Sequence, residues 1–413
     1  MANLFRIYFF ILILFYGFYT HAEIIVCKTC ETKTITEGIK KAKPYQKVIV
    51  KAGIYYENFI SIDKPIKLIT EEKATIDGKK KGDIIIINSD NVTVDGFKLI
   101  NVGSSYTNDY AAIRVNKYQN FIIQNLDLKD IFFGIYLAKS RNGIVRNNVI
   151  HANAENEYNS GNGIHLWYAK KININNNLIN QARDGIYLEF SDSCRITYNR
   201  SKGNLRYGLH FMFANDNIYI GNTFESSGAG VAVMFSKNVT MIRNRFKKNW
   251  GAAAYGLLLK ELHDSKIENN TFEENTTGIN VENCNRITYT NNNFIGNGWA
   301  AKVNGACYKN VFSGNNFINN SFDISYTGRL NDNVFTKNYW SKYTGYDLDK
   351  NGLGDVPYRP VKLFNYVVDR VPQSIILLRS LFIDIIEFSE NVSPTYTPDN
   401  LFDDQPLMKQ NKW

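Results

Sequence analysis

The sequence is short of several things, and each shortage excludes something. It has no apolar run of membrane-spanning length before its C-terminal region. The run near the start, Ile7 to Tyr19, is thirteen residues long, against the roughly 20 that a spanning helix needs. Lying behind Arg6 and ahead of Thr20-His21-Ala22 and polar Glu23, it has the form of a Sec-type signal peptide over residues 1–22 and predicts an exported mature chain. Cysteine is scarce and odd in number, at five. Cys27 and Cys30 form a C-x-x-C just past the expected cut, which reads as a small disulfide loop, with a terminal metal or redox clip as the alternative. Cys194, Cys284 and Cys307 are scattered and read as small core residues. Acidic charge is also short, 39 Asp and Glu against 48 Lys and Arg. Outside the cytoplasm that surplus suits an acidic protein partner or an anionic membrane face rather than nucleic acid.

What the chain does have is repetition. Gly followed by alternating apolar residues recurs at Gly134, Gly163, Gly185, Gly208, Gly230, Gly256 and Gly278, in steps of 29, 22, 23, 22, 26 and 22. An Asn ladder runs through Asn148, Asn177, Asn199, Asn222, Asn244, Asn270 and Asn292 in the same steps, then on to Asn315 and Asn338. Two motifs moving in lockstep mark one repeated supersecondary unit with short insertions. Within the unit the period is two, as in Gly163-Ile164-His165-Leu166-Trp167, so the segments are strands. A coil this short cannot hold a crossover helix, so successive strands lie parallel, one coil above the next. The expected fold is all-β: a right-handed parallel β-helix of the pectin-lyase-like kind. Its parts are a signal peptide over 1–22, the β-helix with a short helical cap near Thr34 to Ala42 over 23–340, and an extension over 341–413. That extension has an apolar helical stretch, Gln373 to Phe388, and an extended tail from Ser393. A cap has a clear purpose, because a solenoid end exposes strand edges.

The alternation sorts side chains. Positions one and three after each Gly are apolar and point inward; positions two and four point outward. One outward column is Tyr136, His165, Tyr187, His210, Ala232, Leu258 and Asn280. The other is Ala138, Trp167, Glu189, Met212, Met234, Lys260 and Glu282. Met212 and Met234 fall roughly 5 Å apart by sheet spacing, and His210 roughly 7 Å from Met212. Thioether and imidazole together suit copper(I), so His165, Glu189, His210, Met212 and Met234 are the copper candidates. The alternative is that a covering element packs on the strip and the Met residues only fill gaps.

The competing function is a polysaccharide-binding or polysaccharide-degrading β-helix, motivated by the fold and by Trp167 and Tyr187. Glycoside hydrolysis needs two carboxylates about 5 to 9.5 Å apart. Glu189 and Glu282 fall roughly 19 Å apart by coil spacing, so the columns do not supply that pair. Separately, Asp347, Asp349, Asn351 and Asp355 with Gly352 follow the first part of an EF-hand-type loop, making them calcium candidates. The Glu expected at position twelve is replaced by Tyr358, which leaves a plain Asx-rich turn as the alternative.

Several strings go beyond any generic β-helix. Gly161-Asn162-Gly163-Ile164-His165-Leu166-Trp167, Arg206-Tyr207-Gly208-Leu209-His210-Phe211-Met212-Phe213 and Gly230-Val231-Ala232-Val233-Met234-Phe235 resemble the NosD family. So do Gly354-Asp355-Val356-Pro357-Tyr358 and the closing Pro406-Leu407-Met408. The resemblance covers nearly all of the mature chain. It implies a periplasmic accessory protein, not an enzyme, that works beside a membrane-bound ABC transporter. The implied role is to help assemble the copper–sulfur centre of nitrous oxide reductase, handling copper transiently as Cu(I). The implied partners are the transporter, the reductase and a copper chaperone. On this view the apolar C-terminal stretch is a docking element for the membrane partner, or else caps the last coil.

Overall fold

The protein is described by a computed structural model covering residues 23–327, 332–378, 380–392 and 401–412; the signal peptide expected over 1–22 lies outside the described residues. The expected parallel β-helix is the architecture observed. Each coil contributes one short strand to each of three parallel sheets of 14, 13 and 12 strands. The first sheet runs from Ile24–Val26 to Val334–Thr336, the second from Ile54–Tyr55 to Tyr339–Trp340, and the third from Ile60–Ile62 to Phe322–Tyr326.

The corner between the first and second sheets is built by the Asn ladder. Each Asn follows a residue in left-handed backbone, such as Asn147 (φ 56°) or Arg243 (φ 54°), and turns its amide into the stack. Asn244 Oδ1 accepts from the Asn222 backbone N–H at 3.0 Å and from Asn222 Nδ2 at 2.9 Å. Its own Nδ2 donates to Tyr219 O at 3.0 Å and to Asn270 Oδ1 at 3.0 Å. Every polar atom of that side chain is thereby satisfied in a buried position, as low-dielectric surroundings require. The core beside it is a column of parallel rings, Phe224, Phe246, Phe272, Phe294, Phe317 and Trp340. The Gly ladder of the third sheet has a steric cause. A Cβ at Gly208 would stand 2.6 Å from Gly230 O in the next coil.

The N-terminal end is closed by the helix Ile35–Lys41, whose Thr34 side chain accepts from the Glu37 N–H. Cys27 and Cys30 are disulfide-bonded beside it. The three other cysteines are buried, and burial pushes the Cys194 and Cys284 thiols up to about 12. Cys284 and Cys307 continue a corner otherwise held by Ser191 and Ser236, each accepting a backbone N–H from the preceding coil.

The C-terminal region differs from its expected form in two ways. The apolar stretch is broken. Pro372–Leu377 is a 3₁₀ turn and Leu381–Val392 an α-helix, the second started by Ser380, whose side chain accepts from the Ile383 N–H. The second difference is that the described end of the tail returns to the last coil. Asp403, fully buried, accepts from the Asn338 N–H, Asn338 Nδ2 and Trp340 Nε1 through one carboxylate oxygen, at 2.9 to 3.0 Å. It takes the place that the next Asn of the ladder would hold.

A buried histidine column in the third sheet

Sheet register brings the outward columns together. His165 pairs with Tyr136 and Tyr187, and Tyr187 with His210. Trp167, Glu189, Met212 and Met234 are likewise successive partners. Two features of the expected strip need correction. The first concerns exposure. His165 and His210 are 6% and 5% exposed, so the imidazoles are not on the open surface. Phe133 and Tyr207 pack on them, with ring centroids at 5.6 and 4.7 Å. The longer insertion ending at Asn162 brings that side chain over His165. Trp167, Glu189, Met212 and Met234 are half-buried and reach solvent, as does Tyr187 between the two histidines. The second correction concerns grouping. Tyr187 lies between the two imidazoles, 4.9 Å from one and 4.5 Å from the other by ring centroid. His165 and His210 therefore belong to separate environments and do not share one ion.

Those environments differ chemically. Burial, then the neighbouring Arg183 cation, pushes the His165 imidazole down to about 3, so it is neutral across the ordinary pH range. Asn162 Nδ2 meets its Nδ1 at 3.1 Å. With the amide as donor, Nε2 carries the proton and faces Glu189 Oε2 at 4.0 Å. Burial in turn raises the Glu189 carboxyl above its usual range. His210 is arranged the other way. Its Nδ1 lies 3.4 Å from Asp184 Oδ2. A carboxylate only accepts, so Nδ1 carries the proton. In the neutral ring the Nε2 lone pair is then free, and no protein group meets it although it is buried. A carboxylate-oriented imidazole with an open second nitrogen is the pattern of a metal-binding histidine. Met212, two residues on, and Met234, its in-register neighbour, are on the same face of the sheet.

Asp184, Asn162, Arg183 and Arg206 complete the surroundings of the two imidazoles and are not among the copper candidates read from the sequence. Asp184 is 1% exposed and in register with Tyr207, and the Arg206 Nε stands 3.9 Å from its Oδ1. Strict alternation puts the residue before each Gly inward; it fails at Asp184 because Gly185 itself turns its Cα toward the Ser201 and Asn204 side chains and breaks the period.

Elsewhere, the Asp347–Asp355 loop is exposed and closed by its own hydrogen bonds. Asp347 accepts from the Asn351 and Gly352 N–H groups, and Asp355 from that of Leu348. Tyr358, at position twelve, is buried and pairs with Asp403, so the bidentate position of an EF-hand is absent. Among the described residues no group of three or more His, Cys, Asp or Glu side chains is arranged to hold a metal ion. A site at His210 would depend on thioethers.

The fold defines the class. The chain superposes on a thermostable α-1,3-glucanase catalytic unit from Streptomyces thermodiastaticus with a TM-score of 0.59, at 13% identity, covering 76% of this chain and 66% of that one. The mannuronan C-5 epimerase AlgE6 A-module from Azotobacter vinelandii gives 0.53 at 12% identity, covering 73% and 92%. At such identities these likenesses establish a pectin-lyase-like parallel β-helix and nothing about activity. A family model described as Periplasmic copper-binding protein (NosD) matches residues 151–345. The Pseudomonas aeruginosa (strain PAO1) protein named Probable ABC transporter binding protein NosD is 30% identical, covering 87% of each chain. A protein of the same name from Stutzerimonas stutzeri is 28% identical, covering 87% of this chain and 86% of its own. The chain belongs to the NosD family.

Proposed function

We propose that this protein is a periplasmic copper handler that works beside an ABC transporter to help assemble the copper–sulfur centre of nitrous oxide reductase, and that it is not itself an enzyme. Copper is its cargo, held transiently as Cu(I). The observation that carries the proposal is His210. Its Nε2 is buried without a partner while Nδ1 faces Asp184, and Glu189, Met212 and Met234 form the half-buried column beside it. A soft cation would satisfy that nitrogen, and flexible thioethers would let the ion exchange. The family description and the names of the two relatives support copper and a transporter partner. Delivery by a copper chaperone and transfer to the reductase extend the same reading. Calcium at Asp347, Asp349, Asn351 and Asp355 would be a separate structural ion.

The C-terminal helices support the membrane-side partner. No helix among the described residues is long and apolar enough to cross a membrane. Yet Ile376, Leu381, Phe382, Ile385 and Phe388 are 58% to 85% exposed, an apolar surface of the kind that marks a docking site. The transporter is assigned to it.

A Cu(I) competition titration with a chromophoric chelator tests the core of the proposal. Tight binding by the mature protein that weakens in His210→Asn and in Met212→Leu/Met234→Leu is the expected result. Absence of binding by the unmodified protein would remove copper from its role. Release of reducing ends from acidic polysaccharides would replace the proposal with a hydrolase.

A further inference from the structure

The Gly ladder of the third sheet ends in a carboxylate. Register carries the ladder position from Gly278 to Ala300 and on to Asp323. A Cβ at Gly256 or Gly278 would stand 2.6 or 2.5 Å from a carbonyl of the following coil. Phe322–Tyr326 is the last strand of that sheet among the described residues, so Asp323 meets no such carbonyl. Its side chain leaves the stack toward the C-terminal extension. There Oδ2 accepts from the Tyr358 hydroxyl at 3.4 Å, while Oδ1 is buried without a hydrogen-bond partner. Asp323 is 3% exposed, and burial pushes its carboxyl up to about 6. At neutral pH it is ionised with one oxygen unmet, which is costly in a buried place. Ending a ladder does not require this. Asp403 closes the Asn ladder at the same end of the stack with three donors on one oxygen.

Asp323 lines a cavity of about 960 Å³ between the last coil and the extension, a size that holds an organic molecule. The walls carry both signs of charge and apolar surface. Lys342, Arg359 and Lys362 contribute cations, and Phe322, Leu378 and Ile383 are apolar. Glu390, also in the lining, is committed to the Leu363 N–H through both oxygens, at 3.0 and 2.8 Å. The lining extends to Ile383 and Asp384 in the first turn of the helix Leu381–Val392. Beside them Leu381, Phe382 and Ile385 are 74%, 61% and 58% exposed. Cavity and exposed apolar surface meet on one helix.

We propose that this cavity binds the head of a zwitterionic phospholipid bearing a primary ammonium, whose acyl chains lie along the exposed side of that helix. Each feature selects one part of the molecule. A primary ammonium brings N–H donors and positive charge to Asp323 Oδ1. Lys342, Arg359 and Lys362 suit the phosphate. Leu381, Phe382 and Ile385 suit the chains, as on a helix lying in a membrane interface. A purely anionic ligand would set like charge against Asp323, and a neutral sugar would use neither sign. The inference goes beyond the copper reading and stands without it. Such a lipid belongs to the bilayer around the transporter assigned above.

Co-sedimentation of the purified mature protein with vesicles tests this, in about 0.15 M salt to screen the positive surface. Three compositions are compared: phosphatidylcholine alone, and phosphatidylcholine mixed with phosphatidylethanolamine or with phosphatidylglycerol. The expected result is binding at least about fivefold tighter to the ethanolamine vesicles than to phosphatidylcholine alone. The trimethylammonium of choline has no N–H to give Asp323. Asp323→Asn, close to the same shape, should bring that ratio within about twofold of one. Leu381→Ser/Phe382→Ser should weaken binding to every composition. Equal binding of the unmodified protein to choline and ethanolamine vesicles overturns the proposal, whatever the stability of the variants. So does an ethanolamine preference that Asp323→Asn retains in full. Tightest binding to phosphatidylglycerol, unchanged in Asp323→Asn, assigns the attraction to surface charge and overturns it as well. Binding of soluble phosphoethanolamine without binding to vesicles gives the cavity to a free zwitterion and removes the lipid. Failure of Cu(I) binding at His210 bears on none of these outcomes.

Discussion

Two buried polar columns run along this solenoid, and they obey opposite rules. The Asn ladder between the first and second sheets satisfies its amides. Asn244 uses both oxygen and nitrogen, and its neighbours repeat the arrangement coil by coil. In the third sheet Tyr136, His165 and His210 are nearly as buried, yet His165 Nε2 and His210 Nε2 have no hydrogen-bond partner, nor does Oδ1 of the adjoining Asp184. An unmet buried polar group costs about 1–3 kcal/mol. Open atoms also occur in the core, at Tyr219 and Tyr289, but at His210 the open nitrogen sits opposite a carboxylate-held Nδ1, and that arrangement is what the copper proposal explains. On the copper proposal, the difference separates architecture from function within one fold.

The sharpest way to break that comparison is to damage the satisfied column. Asn244→Ala strands the Asn222 N–H and the Tyr219 carbonyl and should cost about 3–5 kcal/mol, read as a lower urea midpoint. A loss below about 1 kcal/mol would mean the ladder is not what holds this corner. The cap of the same ladder comes next. Asp403→Ala leaves Asn338 Nδ2, the Asn338 N–H and Trp340 Nε1 without their acceptor, so about 2–3 kcal/mol should be lost, with faster amide exchange at Asn338 than at Asn199. No change in exchange would detach the tail from the stability of the last coils.

The open column should announce itself through pH. The His165 imidazole is pushed down to about 3 by burial and by Arg183, against about 6.5 in an unfolded chain. Between those values the unfolded state binds the extra proton, so stability falls as pH drops from about 6.5 toward 3, by on the order of 3 kcal/mol. Denaturation at stepped pH should show this slope, and His165→Asn should flatten it in that window. An unaltered slope would assign acid sensitivity to other groups. The smallest stability effect belongs to the residue with the largest functional one. His210→Asn should move stability by less than about 1 kcal/mol, because a partnerless nitrogen is removed, while Cu(I) affinity falls roughly 10- to 100-fold. A stability loss as large as that of Asn244→Ala would show that both columns are structural.

Much of this could be read along the chain. The steps of the Gly and Asn ladders identify the coil, and residues after each Gly fall into the outward columns that sheet register produces. What the pattern missed has physical causes. Period two carried back through Gly185 would place Asp184 inward, so the pattern could not reach the carboxylate that faces His210; the backbone breaks the alternation at that Gly. Taking outward to mean exposed overlooked the insertion ending at Asn162 and the rings of Phe133 and Tyr207 that bury both histidines.

By itself the sequence determined the coil, the parallel stacking and the order of side chains along each column, because in a stack of equal turns every residue meets its own counterpart one repeat away. Only the tertiary structure decided which members of a column meet water. Solvation depends on insertions that fold back across neighbouring coils, and these carry no period. It also decided that Tyr187 parts the two histidines and that Asp184, one coil below, leaves His210 Nε2 as the open nitrogen. Tautomer and burial are properties of an environment, assembled from residues that the repeat brings close and the chain keeps far apart.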